Sequence, residues 1–113
     1  MKKIILDCDP GQDDAVALAL AMAAKDEIEI LGVTTVAGNV PLNLTQRNAR
    51  IMCEMCHRPD VKVYAGAEKP MAQELVTAEH VHGKSGLDGI EIYEPSHSLE
   101  EKHAIDFIIE SCL

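Results

Sequence analysis

The stretch Asp7-Cys8-Asp9-Pro10-Gly11-Gln12-Asp13-Asp14 places four aspartates within eight residues, on the two sides of a Pro-Gly turn. The apolar residues before it predict a first strand over residues 3–9. Residues 15–24, which follow it, are nearly all Ala, Val, Leu and Met and predict a buried helix. The stretch therefore lies where a strand ends, turns and enters a helix, which is where open α/β sheets place their ligand sites.

The carboxylates of this stretch call for a counter-charge. Asp7 and Asp9 share one face of the predicted strand, and Asp13 and Asp14 open the predicted helix, whose dipole stabilises each by only about 0.3–1 kcal/mol. Like charges ~4 Å apart repel by about 4 kcal/mol at an effective dielectric constant of 20. The cluster therefore predicts a bound hard cation such as Ca²⁺ or Mg²⁺. The simpler alternative is helix capping combined with a solvated acidic loop.

Composition narrows the possible partners. The chain has 113 residues and a net charge of −9, which argues against nucleic acid and against anionic membranes. No stretch approaches the ~20 apolar residues of a membrane span, and the start of the chain lacks a signal-peptide core. We therefore expect a cytoplasmic protein. The four cysteines are expected to be thiols in the protein core.

The order of the predicted elements defines the fold class. A β-branched strand is predicted over residues 28–36, an amphipathic helix from Pro41 to about residue 57, and a third strand over residues 61–65. This pattern predicts an α/β fold: the Rossmann-like β-α-β-α-β half of an open, mostly parallel, doubly wound sheet with strand order 3-2-1. A capping-box pattern at residues 98–101 predicts one more helix after it.

Four segments resemble one enzyme family. Residues 7–15 resemble the N-terminal signature of the inosine–uridine preferring nucleoside hydrolases. Residues 32–39 are similar to the second strand of that family with its terminal Asn, residues 64–66 to the end of its third strand, and residues 82–89 to its HGxxGL loop. Proteins of the family are considerably longer, so the resemblance implies that residues 1–113 are the N-terminal part of a single, truncated nucleoside hydrolase domain.

The resemblance implies Ca²⁺-dependent hydrolysis of the N-glycosidic bond of ribonucleosides to ribose and free base. In that family Asp9 and Asp14 match carboxylate ligands of Ca²⁺, and Asp9 also matches the general base that activates water. Asp13 matches a residue that hydrogen-bonds a ribose hydroxyl.

The remaining matched residues have supporting or base-directed roles in the resemblance. Asn39 matches a substrate-binding residue, and Asp7 a residue that supports the others. His82 matches a catalytic loop histidine near the base, associated with pyrimidine-preferring members.

The resemblance also implies the partners. The expected substrate is a ribonucleoside (uridine, cytidine or inosine), the full-length protein is expected to be a homo-oligomer, and these 113 residues alone are expected to have little or no activity. Two alternatives are a metal-binding or regulatory fragment without catalysis, and a small Mg²⁺-dependent phosphatase. A phosphatase of the haloacid-dehalogenase type would have Thr or Ser where this chain has Gly11.

Overall fold

A computed structural model describes residues 1–72, 74–77, 86–87 and 92–113. Within these ranges the strands and helices follow the predicted alternating order. They are β1 (Lys2–Cys8), α1 (Gln12–Ala23), β2 (Ile28–Thr35), α2 (Leu42–Met55), β3 (Val63–Ala65) and α3 (Ala104–Cys112). None of these helices is both long and apolar enough to cross a membrane.

The three strands form one parallel sheet in which β2 lies between β1 and β3. Cys8 at the end of β1 pairs with Thr35 of β2, and Thr35 pairs with Ala65 of β3. The carboxyl ends of all three strands therefore meet at one edge. The α/β fold class and the strand order 3-2-1 predicted from the sequence are confirmed.

The main hydrophobic core lies between the sheet and helices α1 and α2. It contains ten buried residues from the two helices, from strands β2 and β3 and from two loop positions: Ala15, Leu18, Met22, Val33, Ala49, Met52, Cys53, Val61, Val63 and Leu87. Removing apolar surface from water is favourable by about 25 cal/mol per Å², so this cluster stabilises the packing of the two helices on the sheet. It fixes α1 and α2 against the sheet and so fixes the turns at the carboxyl edge.

A second, smaller cluster forms where α3 packs on β2 and β3. The rings of Tyr64 and Phe107 stack with centroids 3.9 Å apart, and Ala104 is buried beside them. A Cβ atom at Gly32 would lie 2.7 Å from the Phe107 ring, so the absence of a side chain there allows the ring to approach β2. This small cluster therefore packs α3 against the sheet.

The capping-box prediction at residues 98–101 is wrong. Leu99 forms a parallel bridge with Val63, and the Glu100 backbone N–H donates to the Val63 carbonyl at 2.9 Å. These residues therefore extend along β3, and α3 begins later, where His103 Nδ1 accepts a hydrogen bond from the Ile105 N–H. The sequence pattern failed because backbone pairing with β3 takes the place of the cap.

Two burial predictions also need correction. In α1, Val16 is 62% exposed and Leu20 69% exposed, so this helix is not buried all round. Cys112 is exposed on α3, whereas Cys53 is buried and Cys8 and Cys56 are half-buried. The expectation of core thiols therefore fails for Cys112.

Helix α2 also holds the segment of residues 93–97 through a buried arginine. The Arg50 guanidinium donates from Nη1 to the His97 carbonyl at 3.1 Å and to the Pro95 carbonyl at 3.5 Å, and from Nη2 to Glu94 Oε1 at 3.0 Å. Arg50 is only 8% exposed.

Glu54, one turn later on α2, binds the same segment. Its Oε2 accepts a hydrogen bond from the His97 backbone N–H at 2.6 Å, and its Oε1 accepts one from the Tyr93 hydroxyl at 3.0 Å. The His97 N–H bond is the main reason why the pKa of Glu54 is lowered. Arg50 and Glu54, with the residues of 93–97 that they bind, are called the α2 clamp below.

Candidate active site at the carboxyl edge of the sheet

The four aspartates of the opening motif lie around the turn from β1 into α1. Asp7 is near the end of β1, Asp9 follows the strand, and Asp13 and Asp14 are in the first turn of α1. The turn residues Pro10 and Gly11 are buried. These four aspartates, Asp7, Asp9, Asp13 and Asp14, are called the aspartate corner.

The aspartates do not cap α1. Gly11 is the N-cap residue and no side chain makes a capping hydrogen bond there. Asp13 is exposed and Asp14 half-buried. The helix dipole still favours their negative charge, but the capping alternative raised by the sequence does not describe their contacts.

Asp9 is held by the loop after β2. The Asn39 backbone N–H donates to Asp9 Oδ2 at 2.8 Å, and the Asn39 side-chain Nδ2 donates to the Asp9 carbonyl at 2.7 Å. Gly38 lies against the same carboxylate, because a Cβ atom built there would come within 2.7 Å of Asp9 Cγ. The loop therefore fixes both the backbone and the side chain of Asp9.

Asp14 lies across the Pro-Gly turn from Asp9 and interacts electrostatically with it. Burial, followed by the charges of Asp9 and Asp13, raises the pKa of Asp14 above its ordinary value. Two half-buried carboxylates that interact in this way repel each other unless a proton or a cation offsets their charge. Their oxygen atoms are the donors that hard divalent cations prefer.

The Cys8 thiol beneath the corner is kept neutral. Burial first, and then the charges of Asp14, Asp7 and Asp9, raise the pKa of Cys8 to about 12. A thiol in this environment is a poor nucleophile because the thiolate is the reactive form. The chemistry of this edge therefore belongs to the carboxylates.

Asp7 contacts the neighbouring strand. Its Oδ1 accepts a hydrogen bond from the Thr34 hydroxyl at 2.7 Å, across the β1–β2 pair. Asp7 is exposed while Thr34 is fully buried. This contact ties the end of β1 to β2, which agrees with a supporting role but does not test it.

The described residues supply only part of a metal shell. Among them, no three His, Cys, Asp or Glu side chains are arranged to hold a metal ion together. Ca²⁺ takes about six to eight oxygen ligands, so Asp9 and Asp14 fit as two members of a shell and not as a complete one. The predicted loop histidine, His82, lies outside the described residues.

One contact at the corner was missed by sequence reasoning. Asn48 of α2 is fully buried, and its Nδ2 donates to the Pro10 carbonyl at 3.2 Å. In the sequence, Asn48 is a polar residue directly before the mostly apolar run of residues 49–53. That pattern does not identify the atom that accepts its hydrogen bond.

Together these elements define the class of protein: a doubly wound α/β protein with a braced pair of carboxylates at the carboxyl edge of its sheet. The model of the family "Inosine-uridine preferring nucleoside hydrolase" matches residues 4–113. The chain belongs to this family.

Relatives agree with this assignment. A protein of Schizosaccharomyces pombe is 55% identical over 109 residues, which cover 96% of this chain and 35% of the relative. The pyrimidine-specific ribonucleoside hydrolase RihA of Salmonella schwarzengrund is 44% identical over 108 residues, which cover 96% of this chain and 34% of RihA.

A solved structure agrees as well. The purine-preferring ribonucleoside hydrolase from Gardnerella vaginalis superposes with a TM-score of 0.84 at 35% identity, covering 97% of this chain and 36% of that one. The chain thus spans about a third of the length of the relatives that it matches.

Proposed function

We propose that this chain contributes the acidic half of a ribonucleoside hydrolase site, which cleaves the N-glycosidic bond with water and releases ribose and a free base. The observation that carries the proposal is the Asp9–Asp14 pair, held by Asn39 at the sheet edge of a chain that belongs to the nucleoside hydrolase family. Family membership alone would leave the site residues undefined. The Asp9–Asp14 pair identifies carboxylates that could bind a cation and accept a proton at this site.

Asp9 and Asp14 are the residues that would hold a calcium ion. When bound, the ion would supply positive charge that offsets the two carboxylates and binds further oxygen ligands. Further carboxylate, imidazole or thiolate ligands would come from residues other than those the structure describes.

Asp9 is the proposed general base. As the bond from C1′ to the base nitrogen breaks and the ribose develops oxocarbenium character, a water oxygen bonds to C1′ and its proton passes to the Asp9 carboxylate. The electron pair of the broken bond stays on the base nitrogen, and the base leaves after taking up one proton from solvent. Asn39 holds that carboxylate by its Oδ2 atom and so fixes its orientation. With Oδ2 occupied by this hydrogen bond, Asp9 Oδ1 is the atom that would accept the proton.

Asp13 and Asn39 are the proposed ribose-directed residues. Asp13 is exposed on the first turn of α1, beside the Asp9–Asp14 pair, where its carboxylate can accept a hydrogen bond from a ribose hydroxyl. Asn39 donates its backbone N–H and its side-chain Nδ2 to Asp9, which places it at the same edge of the sheet, where its side chain would contact the ribose.

The substrate class is a ribonucleoside, with uridine as the first candidate. RihA, which is pyrimidine-specific, is 44% identical to this chain, whereas the purine-preferring Gardnerella enzyme is 35% identical. Inosine is the necessary comparison substrate. The comparison of uridine with inosine also concerns His82, because it is the proposed base-directed residue.

The experiment uses a chimera in which residues 1–113 replace the matching segment of RihA, assayed for release of base from uridine and inosine. We expect turnover of uridine, little turnover by the 113-residue chain alone, and a loss of about 10²–10⁴-fold in kcat in the Asp9→Asn chimera. Asp26→Asn, an exposed change in the turn after α1, is the matched control and should leave kcat unchanged.

A folded chimera without turnover, or full turnover by the Asp9→Asn chimera, would contradict the proposal. Metal binding without turnover would favour a binding fragment, and Mg²⁺-dependent release of phosphate from a phosphomonoester would favour the phosphatase alternative.

A further inference from the structure

The turn between Asp9 and Asp14 is held from outside by two elements that do not belong to the aspartate corner. One is α2, whose buried Asn48 donates from Nδ2 to the Pro10 carbonyl at 3.2 Å. The other is the pair Gly86–Leu87, which is buried, with Gly86 next to Asn48 and the Pro10 carbonyl.

Gly86 is fitted closely to this junction. Its φ of +86° lies in the left-handed region that favours glycine. A Cβ atom there would lie 2.9 Å from Asn48 Nδ2, 3.1 Å from Val40 Cγ2 and 3.3 Å from the Pro10 carbonyl oxygen. Any side chain would therefore press on the Asn48–Pro10 contact.

Leu87 fixes the position of Gly86. It is fully buried and belongs to the main hydrophobic core with residues of α1, α2 and the sheet. Because Leu87 is anchored in the core, Gly86 is held beside the Asn48–Pro10 hydrogen bond, which is itself buried. A hydrogen bond shielded from water is electrostatically stronger than an exposed one.

The turn that these contacts hold determines the distance between the two carboxylates. Asp9 precedes Pro10, and the Gly11 carbonyl accepts the first helical bond, from the Ala15 N–H at 3.0 Å. A displacement of the Pro10 peptide would therefore move Asp9 relative to the start of α1, which carries Asp14.

We infer that Asn48 is a positioning residue for this site, which sets the Asp9–Asp14 geometry through the Pro10 carbonyl, and that Gly86 seals that contact. The inference rests on the proposed function, because it assigns a role within the same site. The Asn48 hydrogen bond ends on the Pro10 carbonyl, so its effect on the two carboxylates is transmitted through the turn.

The test compares Asn48→Leu with Asn43→Leu in the 113-residue chain. Both changes replace an amide on α2 with an apolar side chain of similar size, but Asn43 is exposed whereas Asn48 is buried. The readouts are Ca²⁺ affinity by calorimetry and the backbone amide chemical shifts of Asp9, Gly11 and Asn39 without metal. Phe107→Leu, in the second hydrophobic cluster, is a control for lost stability alone.

We expect Asn48→Leu to weaken Ca²⁺ binding by about 10-fold or more, as loss of a supporting hydrogen bond does at metal sites, and to shift the three amide signals. Asn43→Leu and Phe107→Leu should leave the affinity unchanged. Unchanged affinity and unchanged amide shifts in Asn48→Leu would overturn the inference while leaving the proposed function intact.

If the unmodified chain binds no Ca²⁺, the calcium part of the proposed function fails. The amide shifts then decide the positioning role separately: shifts confined to Asn48→Leu support it, and shifts equal to those of Asn43→Leu contradict it.

Discussion

The aspartate corner and the α2 clamp are both polar clusters, but their charges are balanced in opposite ways. In the corner, burial and neighbouring carboxylates raise the pKa of Asp14. In the clamp, the His97 N–H and the Tyr93 hydroxyl lower the pKa of Glu54, and Arg50 is paired with Glu94.

The difference separates a site from a structural contact. In the clamp, the charged groups of Arg50 and Glu54 have hydrogen-bond partners within residues 93–97. The result is that this segment is held against α2. The corner leaves like charges together, and perturbed groups held in this way are candidates for function. Disrupting the corner should therefore alter ligand binding, whereas disrupting the clamp should alter stability.

Among changes outside the four aspartates, the largest effect on binding is expected from Gly38→Ala. Its new Cβ atom would lie 2.7 Å from Asp9 Cγ, so either the carboxylate or the loop must move. We expect Ca²⁺ affinity to fall by about 10–100-fold and stability by about 1–3 kcal/mol. Calorimetric titration and urea unfolding would measure the two effects.

Gly66→Ala is the matched control. Its Cβ atom would lie 3.0 Å from the Thr35 carbonyl oxygen and 3.2 Å from Ala104 Cβ, a similarly tight place that does not touch Asp9. This variant should lose stability and keep its Ca²⁺ affinity. An equal loss of affinity in both variants would remove the distinction between corner and scaffold.

In the clamp, Arg50→Lys should lower stability without changing Ca²⁺ affinity. Lysine keeps the charge but cannot reproduce the guanidinium contacts with the Pro95 and His97 carbonyls. We expect a loss of about 1.5–3 kcal/mol in unfolding free energy, the range for hydrogen bonds to charged groups, with Ca²⁺ affinity unchanged. Urea unfolding would measure the loss.

Arg47→Lys on the same helix is the control for Arg50→Lys and should change stability less. A Ca²⁺ affinity that fell in Arg50→Lys alone would mean that the clamp is coupled to the corner.

The smallest effect is a pH dependence at Glu54. Since its pKa is lowered from 4.5 in the folded chain, the stability it contributes is present above pH 4.5 and is lost as the pH falls through the lower folded value. The difference in melting temperature between the unmodified chain and Glu54→Gln should therefore shrink in acid. A difference that is constant from neutral pH to pH 3 would argue against the contact in solution.

The sequence could predict the corner because its determinants are local. A strand, a Pro-Gly turn and a helix follow one another within residues 3–24, and each is encoded by neighbouring residues. Parallel strands joined by helices then bring the loop of Asn39 to the same edge. The fold class follows from the same alternation.

The clamp and the Asn48 contact could not be predicted in this way. Arg50 binds backbone carbonyls 45 and 47 residues later, and Asn48 binds a carbonyl 38 residues earlier. A carbonyl acceptor has no side-chain signature, so nothing in the sequence marks it. The capping-box error at residues 98–101 has the same origin, because the competing partner is the backbone of Val63.

Thermal unfolding of the chain and of Asp14→Asn, each with Ca²⁺ and with chelator, tests the central claim most directly. If the corner holds a cation, Ca²⁺ at 100 times its Kd should stabilise the unmodified chain by about 2.7 kcal/mol. Asp14→Asn should lose that gain while melting no lower than the unmodified chain in chelator, because one of two repelling carboxylates is gone. Equal melting of the unmodified chain with Ca²⁺ and with chelator would contradict the claim.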